Sequence, residues 1–186
     1  MKDMIVGIGE ALWDVLPEGK KLGGAPANFA YHVSQFGLNS CAVSAIGKDR
    51  LGEEIIEQLN DKGMRYNIET VPYPTGTVQV EIDQAGIPQY NIKENVAWDN
   101  IPYTDALHEI AKNTRAVCFG SLAQRSIVSR ETIARFLDTM PKGDESLRVF
   151  DVNLRQGFYN AEILTNSMAR CNVLKINYEE QVTESR

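Results

Sequence analysis

Short apolar runs alternate along the chain with segments whose apolar residues recur at helical spacing. The apolar runs predict buried strands at residues 4–9, 40–46, 116–119, 147–152 and 173–176. The amphipathic segments predict helices at residues 25–36, 51–62, 103–112, 129–140 and 161–169. Strands that alternate with helices in this way predict an α/β fold, with a mostly parallel sheet flanked by helices.

One segment departs from this rhythm. Residues 77–83 alternate between polar and apolar side chains with a period of two, and residues 88–92 follow after a predicted turn at 84–87. One face of the first strand carries Val78, Val80 and Ile82, and the other carries Gln79 and Glu81. We expect a β-hairpin with one solvated face, inserted around residues 72–98, that serves as a lid, a dimer surface or both.

Composition narrows the range of partners. The chain has 186 residues and a formal net charge of −6. It has no block rich in Lys and Arg, which argues against nucleic acid or an anionic membrane as a partner. No apolar run approaches the roughly 20 residues of a spanning helix, and Gly7 comes too early for a signal peptide. We expect a cytoplasmic protein.

The cysteines and histidines do not suggest a metal site. Cys41, Cys118 and Cys171 are widely spaced, without a C-x-x-C pair, and are expected to be reduced thiols. His32 and His108 lie far apart and are expected to be ordinary helix residues.

Residues 23–30 read Gly-Gly-Ala-Pro-Ala-Asn-Phe-Ala, a glycine pair that leads directly into a helix. Gly23 and Gly24 let the backbone come close to a ligand because they lack a Cβ atom. Pro26 suits the first turn of a helix, where free N–H groups favour polar or anionic oxygen atoms. Asn28 is expected on the inner face of this helix. The segment predicts a small-molecule site.

Polar residues follow several of the predicted strands. Ligands of open parallel sheets bind beyond the carboxyl ends of the strands. Asp151, Asn153 and Arg155 lie on one side if the chain stays extended there. The candidate rim residues are Glu10, Asp14, Ser121, Asp151, Asn153, Arg155, Asn177 and Glu180. The sequence therefore predicts a ligand site at this rim.

Each candidate also has a structural alternative. Asp14 could be a turn residue, Asp151 could bond a neighbouring loop, and Arg155 could pair with a surface carboxylate. Asn177 and Glu180 have the spacing of a helix capping box. Tyr90 and Trp98 flank the lid, where packing is favoured over stacking on a ligand.

A dinucleotide site is disfavoured. Gly7 and Gly9 begin a G-x-G-x-x-G pattern, but Leu12 stands at the third glycine. Glu10 would also place an acidic side chain where a pyrophosphate must approach.

Together these motifs resemble the ribokinase-like (PfkB) carbohydrate kinases along essentially the whole chain. The glycine-to-helix segment, with Gly37 and Gly47 after it, matches their N-terminal motif. Three further segments resemble those of bacterial fructokinases or of the wider family, namely residues 9–14, 151–155 (D-x-N-x-R) and 177–180 (N-x-x-E).

The resemblance implies phosphorylation of a sugar hydroxyl, with fructose as the expected sugar and with ATP and Mg²⁺. It implies that Asp14 and Asn28 form hydrogen bonds with sugar hydroxyl groups. It also implies that the backbone of Gly23 and Gly24 comes close to the sugar. Arg155 would contact the sugar or the transferring phosphoryl group. Asn177 and Glu180 would organise Mg²⁺ through its waters, and the lid would exclude water.

The chain departs from the family in one respect. The family's C-terminal D-T-x-G-A-G-D motif, which supplies an anion hole and the general base, has no match here. Loss of a general base typically costs about 10²–10⁴-fold in rate. We therefore expect residues 1–186 to be the N-terminal portion of one ribokinase-like domain, without its nucleotide-binding part, inactive alone and prone to self-association. The alternative is a non-catalytic sugar-binding or regulatory remnant.

Overall fold

The computed structural model describes residues 3–82, 88–143, 146–177 and 180. The strands in chain order are β1 (Met4–Ile8), β2 (Leu12–Leu16), β3 (Gly19–Gly23), β4 (Ser40–Gly47), β5 (Tyr66–Val71), β6 (Gly76–Ile82), β7 (Pro88–Ile92), β8 (Thr114–Gly120), β9 (Leu147–Asp151) and β10 (Val173–Lys175). The helices are α1 (Ala25–Gln35), α2 (Arg50–Asp61), α3 (Asp105–Lys112), α4 (Ile127–Thr139) and α5 (Ala161–Arg170). Short 3₁₀ helices span Ala97–Asn100 and Leu122–Arg125.

The main sheet has the strand order β10-β9-β8-β1-β4-β5. Every neighbouring pair in it is parallel. The predicted parallel α/β fold is therefore confirmed, and each predicted strand and helix is present with ends that differ by two residues or fewer. Parallel strands bring their carboxyl ends to one edge, where a ligand site is expected.

A second sheet has the order β3-β2-β6-β7. The predicted hairpin is present as β6 and β7, which pair antiparallel, while its predicted turn at 84–87 lies outside the described residues. The sequence prediction missed β2 and β3, which complete this sheet. It missed β3 because this strand reads Gly-Lys-Lys-Leu-Gly, a composition that disfavours strands. The predicted lid insertion thus belongs to a four-stranded sheet, called the lid sheet below.

Two glycines of the first strand region let α1 pack closely. A Cβ atom at Gly7 would lie 2.0 Å from the carbonyl oxygen of Pro26, and one at Gly9 would lie 2.8 Å from the Pro26 ring. These glycines therefore serve contact between the strand and the helix, which agrees with the rejection of a dinucleotide motif.

The core fills both faces of the main sheet. Phe119 and Phe150 stack with ring centroids 5.3 Å apart on neighbouring strands. Trp98 is fully buried, as expected for a packing residue. A second cluster on the opposite face places Trp13 of β2 against Ile55 of α2, so the lid sheet is anchored to the main body.

The thiols fit the expectation of free, structural cysteines. Cys41, Cys118 and Cys171 form no disulfide. Burial raises the pKa of Cys118 to about 12 and that of Cys41 to about 11, so both stay protonated at neutral pH. Within the described ranges, none of the helices has the length and apolar character needed to cross a membrane.

The β10 edge of the main sheet gives a testable surface. Val173 and Leu174 are 41% and 44% exposed, and among the described residues β10 pairs only with β9. An open apolar strand edge favours association with another chain. We expect sedimentation velocity to show self-association that Leu174→Lys reduces and that Leu38→Lys, at an exposed position after α1, leaves unchanged. A monomer at every concentration would contradict this.

Candidate functional site

A cleft of about 470 Å³ lies where the carboxyl ends of β1, β8 and β9 face the second sheet. The polar residues that line it are Glu10, Asp14, Asn28, Asn153 and Arg155. They come from three separate parts of the chain, at residues 10–14, 28 and 153–155, and the fold brings them together at one cavity. The structure thus brings together four of the eight residues that the sequence placed at the predicted rim, namely Glu10, Asp14, Asn153 and Arg155.

The second sheet supplies one wall of the cleft. Asp14, Val78 and Ile92 are direct neighbours across β2, β6 and β7, so they share one face of that sheet. This is the apolar face of the predicted hairpin, and Leu12 and Tyr90 also line the cavity from it. Tyr90 is 53% exposed and does not belong to the core, unlike Trp98.

Asp14 lies within β2 and not in a turn, so the turn alternative is wrong. Its pKa is raised by partial burial. A carboxyl group in this position, beside an apolar wall, can accept hydrogen bonds from hydroxyl groups of a ligand.

The glycine turn meets α1 at the base of the cleft. Gly24 is the N-cap of α1, with φ 110°, a conformation that favours glycine. A Cβ atom at Gly23 would lie 2.3 Å from Asp14 Oδ2, and one at Gly24 would lie 2.2 Å from the carbonyl oxygen of Glu10. The glycine pair therefore permits close packing on two residues of the cleft, besides any approach to a ligand.

Asn28 differs from its predicted position. It is exposed instead of lying on an inner face of α1, because Ala27 and Ala30 take the buried positions. It lines both the main cleft and a second cavity of about 440 Å³. Lys20, Lys21 and Lys62 line that second cavity, which gives it a positive character.

The D-x-N-x-R segment turns sharply after β9. Asp151 is buried and accepts a hydrogen bond from Lys175 Nζ at 2.8 Å, so it lies behind the cleft, in a structural role. Asn153 adopts φ 42°, which ends the extended conformation, so the predicted alternation of the three side chains is wrong. The turn brings Asn153 and Arg155 to the cleft.

The same loop also contacts the lid. Gln156, with φ 49°, donates a side-chain hydrogen bond to the carbonyl oxygen of Tyr90 on β7. The segment that carries Arg155 is therefore joined directly to the wall of the cleft opposite it.

Asn177 and Glu180 form the capping box that was the structural alternative. The Glu180 N–H donates to Asn177 Oδ1 at 2.8 Å, and the Asn177 N–H donates to Glu180 Oε2 at 3.0 Å. Glu180 Oε1 accepts from the Leu154 N–H at 3.0 Å, which fixes the loop before Arg155. Because both carboxylate oxygens are already engaged, direct metal ligation does not fit Glu180. In the part of the chain that the structure describes, no three His, Cys, Asp or Glu side chains group to hold a metal.

The sequence placed Glu10 at the predicted rim but assigned it no role in ligand binding. Glu10 is 3% exposed, and its Oε1 accepts a hydrogen bond from the Ala25 N–H at 3.2 Å. Burial raises its pKa to about 7, and the nearby Asp151 adds to this rise. The available signal was an acidic residue directly after a buried strand and opposite a glycine turn.

Comparison with known proteins agrees with this architecture. The family described as pfkB family carbohydrate kinase matches residues 17–184. An uncharacterized sugar kinase of Pyrococcus horikoshii is 33% identical over 196 residues, which cover 95% of this chain and 62% of that protein. Its crystal structure aligns with a TM-score of 0.86 at 30% identity, covering 98% of this chain and 65% of that one. It has also been crystallised with ATP.

Two further relatives act on different sugars according to their names. An ATP-dependent 6-phosphofructokinase of Thermoanaerobacterium thermosaccharolyticum is 28% identical over 162 residues, covering 84% of this chain and 49% of that protein. The fructokinase of Xylella fastidiosa has a TM-score of 0.82 at 20% identity, covering 97% of this chain and 61% of that one, which shows a shared fold. The chain spans less than two thirds of the length of these relatives.

Proposed function

We propose that this chain, which belongs to the pfkB family of carbohydrate kinases, forms the sugar-binding part of an ATP-dependent kinase that phosphorylates a sugar hydroxyl. The observation that carries the proposal is the cleft, where the Asp14 carboxyl group, the glycine turn and Arg155 converge beside an apolar wall. Such a wall with a few convergent polar groups is typical of small-molecule sites.

The chemistry of the cleft suits a polyhydroxylated ligand. Asp14 would accept hydrogen bonds from hydroxyl groups, and Asn28 at the rim would bond another. Val78, Ile92 and the ring of Tyr90 would cover the less polar face of a sugar. Arg155 would neutralise charge on the sugar or on the transferring phosphoryl group, since a guanidinium group suits phosphate oxygens.

ATP with Mg²⁺ would supply the phosphoryl group. Support for ATP comes from the ATP complex of the Pyrococcus horikoshii relative. Asn177 and Glu180 could meet Mg²⁺ only through water, because the Asn177 N–H and the Leu154 N–H already occupy the two Glu180 oxygens. Their clear role is to hold Leu154, and with it the loop that carries Arg155. The general base and the anion hole have no match in this sequence, so we propose that the chain alone turns over ATP very slowly.

Fructose is the proposed sugar, on the basis of residues 9–14 and 151–155 and the fold shared with a fructokinase. A phosphorylated sugar is a second candidate, because the lysine-lined cavity meets the cleft at Asn28. The 6-phosphofructokinase relative is consistent with that candidate. A sugar-binding or regulatory protein without turnover remains the alternative to a kinase.

We also propose a cytoplasmic location, which the free cysteines support.

A homodimer through the lid is proposed because β3 and β7 are the outer strands of the second sheet, as far as it is described.

Ligand-observed NMR with fructose, ribose and fructose 6-phosphate tests the proposal on the chain itself. We expect fructose to bind, and Asp14→Ala to weaken binding by about 10- to 100-fold, because hydrogen bonds to a charged group contribute about 1.5–3 kcal/mol. Asp61→Asn, on an exposed turn of α2, should bind fructose as the wild type does. Binding that is confined to fructose 6-phosphate would favour the second candidate, and equal affinity in Asp14→Ala would refute the assigned site.

An ADP-release assay separates a kinase from a binding protein. We expect the chain to release ADP far more slowly than a longer product of the same gene that contains a G-A-G-D motif. If no such product exists, the non-catalytic alternative is favoured.

A further inference from the structure

Glu10 holds the glycine turn from two sides. The Ala25 N–H donates to Glu10 Oε1, and the backbone of Gly24 lies so close to the Glu10 carbonyl oxygen that a Cβ atom there would be 2.2 Å away. The other carboxyl oxygen, Oε2, is buried and has no hydrogen-bond partner among the described residues. One oxygen is thus engaged by the turn, while the second is enclosed without a counter-charge.

The titratable and charged groups around Glu10 come from several elements that pack on it. Asp14 of β2 lines the same cleft, Asp151 lies at the end of β9 with Lys175 bonded to it, and Cys118 of β8 lies behind. Arg155 lies on the loop after β9 and, among the described residues, has no carboxylate within ion-pair distance. Burial and then Asp151 raise the pKa of Glu10 to about 7, whereas the Ala25 N–H and Arg155 act to lower it.

We propose that Glu10 is a positioning residue of the cleft, whose neutral carboxyl group fixes the turn at residues 23–25 and leaves Arg155 available to the ligand. When Glu10 ionises, a buried charge appears beside Asp151 and requires a counter-ion. Lys175 already bonds Asp151, so Arg155 is the cation that can turn towards Glu10 and away from the ligand. This role of Glu10 rests on the proposed function in one respect only, which is that the ligand is taken to be a sugar.

The first experiment needs no sugar. In the ¹⁵N-labelled chain, we expect the Ala25 amide and the Arg155 side-chain nitrogen to shift together between pH 5.5 and 8.5, with one midpoint at about 7. Glu10→Gln preserves the shape and the acceptor for Ala25 but cannot ionise, so both signals should stay constant. A wild type without this titration, or the same titration in Glu10→Gln, would overturn the proposal.

The second experiment measures fructose affinity at pH 6 and pH 8. Wild type should bind about tenfold more weakly at pH 8, because about a tenth of the molecules then keep the binding-competent, protonated form. Glu10→Gln should bind equally at both pH values and close to wild type at pH 6, whereas the exposed Glu57→Gln should follow the wild-type profile. If Glu10 had a merely structural role, Glu10→Gln would change the fructose affinity at every pH value. The affinity of this variant would then still fall between pH 6 and pH 8.

Failure of the two proposals can be told apart. If fructose does not bind at any pH, the proposed sugar is wrong, and the titration of Ala25 and Arg155 still decides the role of Glu10. If fructose binds with a pH profile that Glu10→Gln shares, the sugar stands and the positioning role is refuted.

Discussion

Replacing Arg125 by methionine is expected to lower the free energy of unfolding by about 3–5 kcal/mol, because it leaves a buried carboxylate without its counter-ion. Arg125 Nε lies 2.8 Å from Asp99 Oδ1, and Nη2 lies 2.9 Å from Oδ2. The two side chains are only 7% and 5% exposed. The planar, bidentate geometry is the arrangement in which an arginine–carboxylate pair is strongest.

Arg125 also joins three separate segments. Its guanidinium carbon lies 4.1 Å from the ring centroid of Trp98 and 4.5 Å from that of Phe158. Nη2 further donates to the carbonyl oxygen of Lys93, just after β7. The side chain thus links the return from the lid, the 3₁₀ helix at 97–100 and the loop after Arg155. Its loss should therefore affect both the lid and the cleft.

Urea unfolding followed by circular dichroism measures this effect. Asp99→Asn should restore part of the loss when combined with Arg125→Met, because removing both charges leaves none uncompensated. Lys112→Met, which breaks the exposed pair with Glu109, serves as the surface control and should cost less than about 1 kcal/mol. A change below about 1 kcal/mol in Arg125→Met would mean that Asp99 is solvated.

The sequence predicted β1, β4 and β8 of the main sheet well because these strands are buried and read as continuous apolar runs. The prediction failed where a segment forms a strand because it pairs with a neighbouring strand and not because of its own composition. β3 contains Lys20 and Lys21 between glycines and is a strand only because β2 offers it a partner. The sequence prediction also missed β5. Polar and apolar side chains alternate along this strand, and that pattern was the signal that the prediction overlooked.

The candidate site also contains residues that the sequence predicts and residues that it does not. Asp14, Gly24 and Arg155 could be predicted because each follows or enters an element whose end is visible in the sequence. The buried position of Asp151 and the turn at Asn153 could not, because one depends on Lys175 of a distant strand and the other on a left-handed residue that the local pattern does not reveal. The environment of Glu10 depends on α1 and β9, which are distant in sequence, so neither its burial nor its pKa follows from local pattern.

The buried carboxyl group of Glu10 predicts that the chain loses stability as pH rises. Its pKa rises from 4.5 to about 7 on folding, chiefly through burial. Between these two values the folded state keeps a proton that the unfolded state has released, so the free energy of unfolding falls with increasing pH. The stabilisation is complete below pH 4.5 and is lost by pH 7. One pKa unit corresponds to about 1.4 kcal/mol, so the loss amounts to about 3 kcal/mol.

Glu10→Gln removes this ionisation while keeping an oxygen for the Ala25 N–H. The difference in unfolding free energy between Glu10→Gln and wild type should therefore move in favour of the variant by about 2.5 kcal/mol between pH 5 and pH 8. Urea titrations at half-unit pH steps measure it, and exposed Glu57→Gln should run parallel to wild type. Parallel curves for Glu10→Gln would instead mean that Glu10 is already ionised at pH 5. A charged Glu10 would then be held by Arg155 throughout this range, and the cleft would show no change in charge near neutral pH.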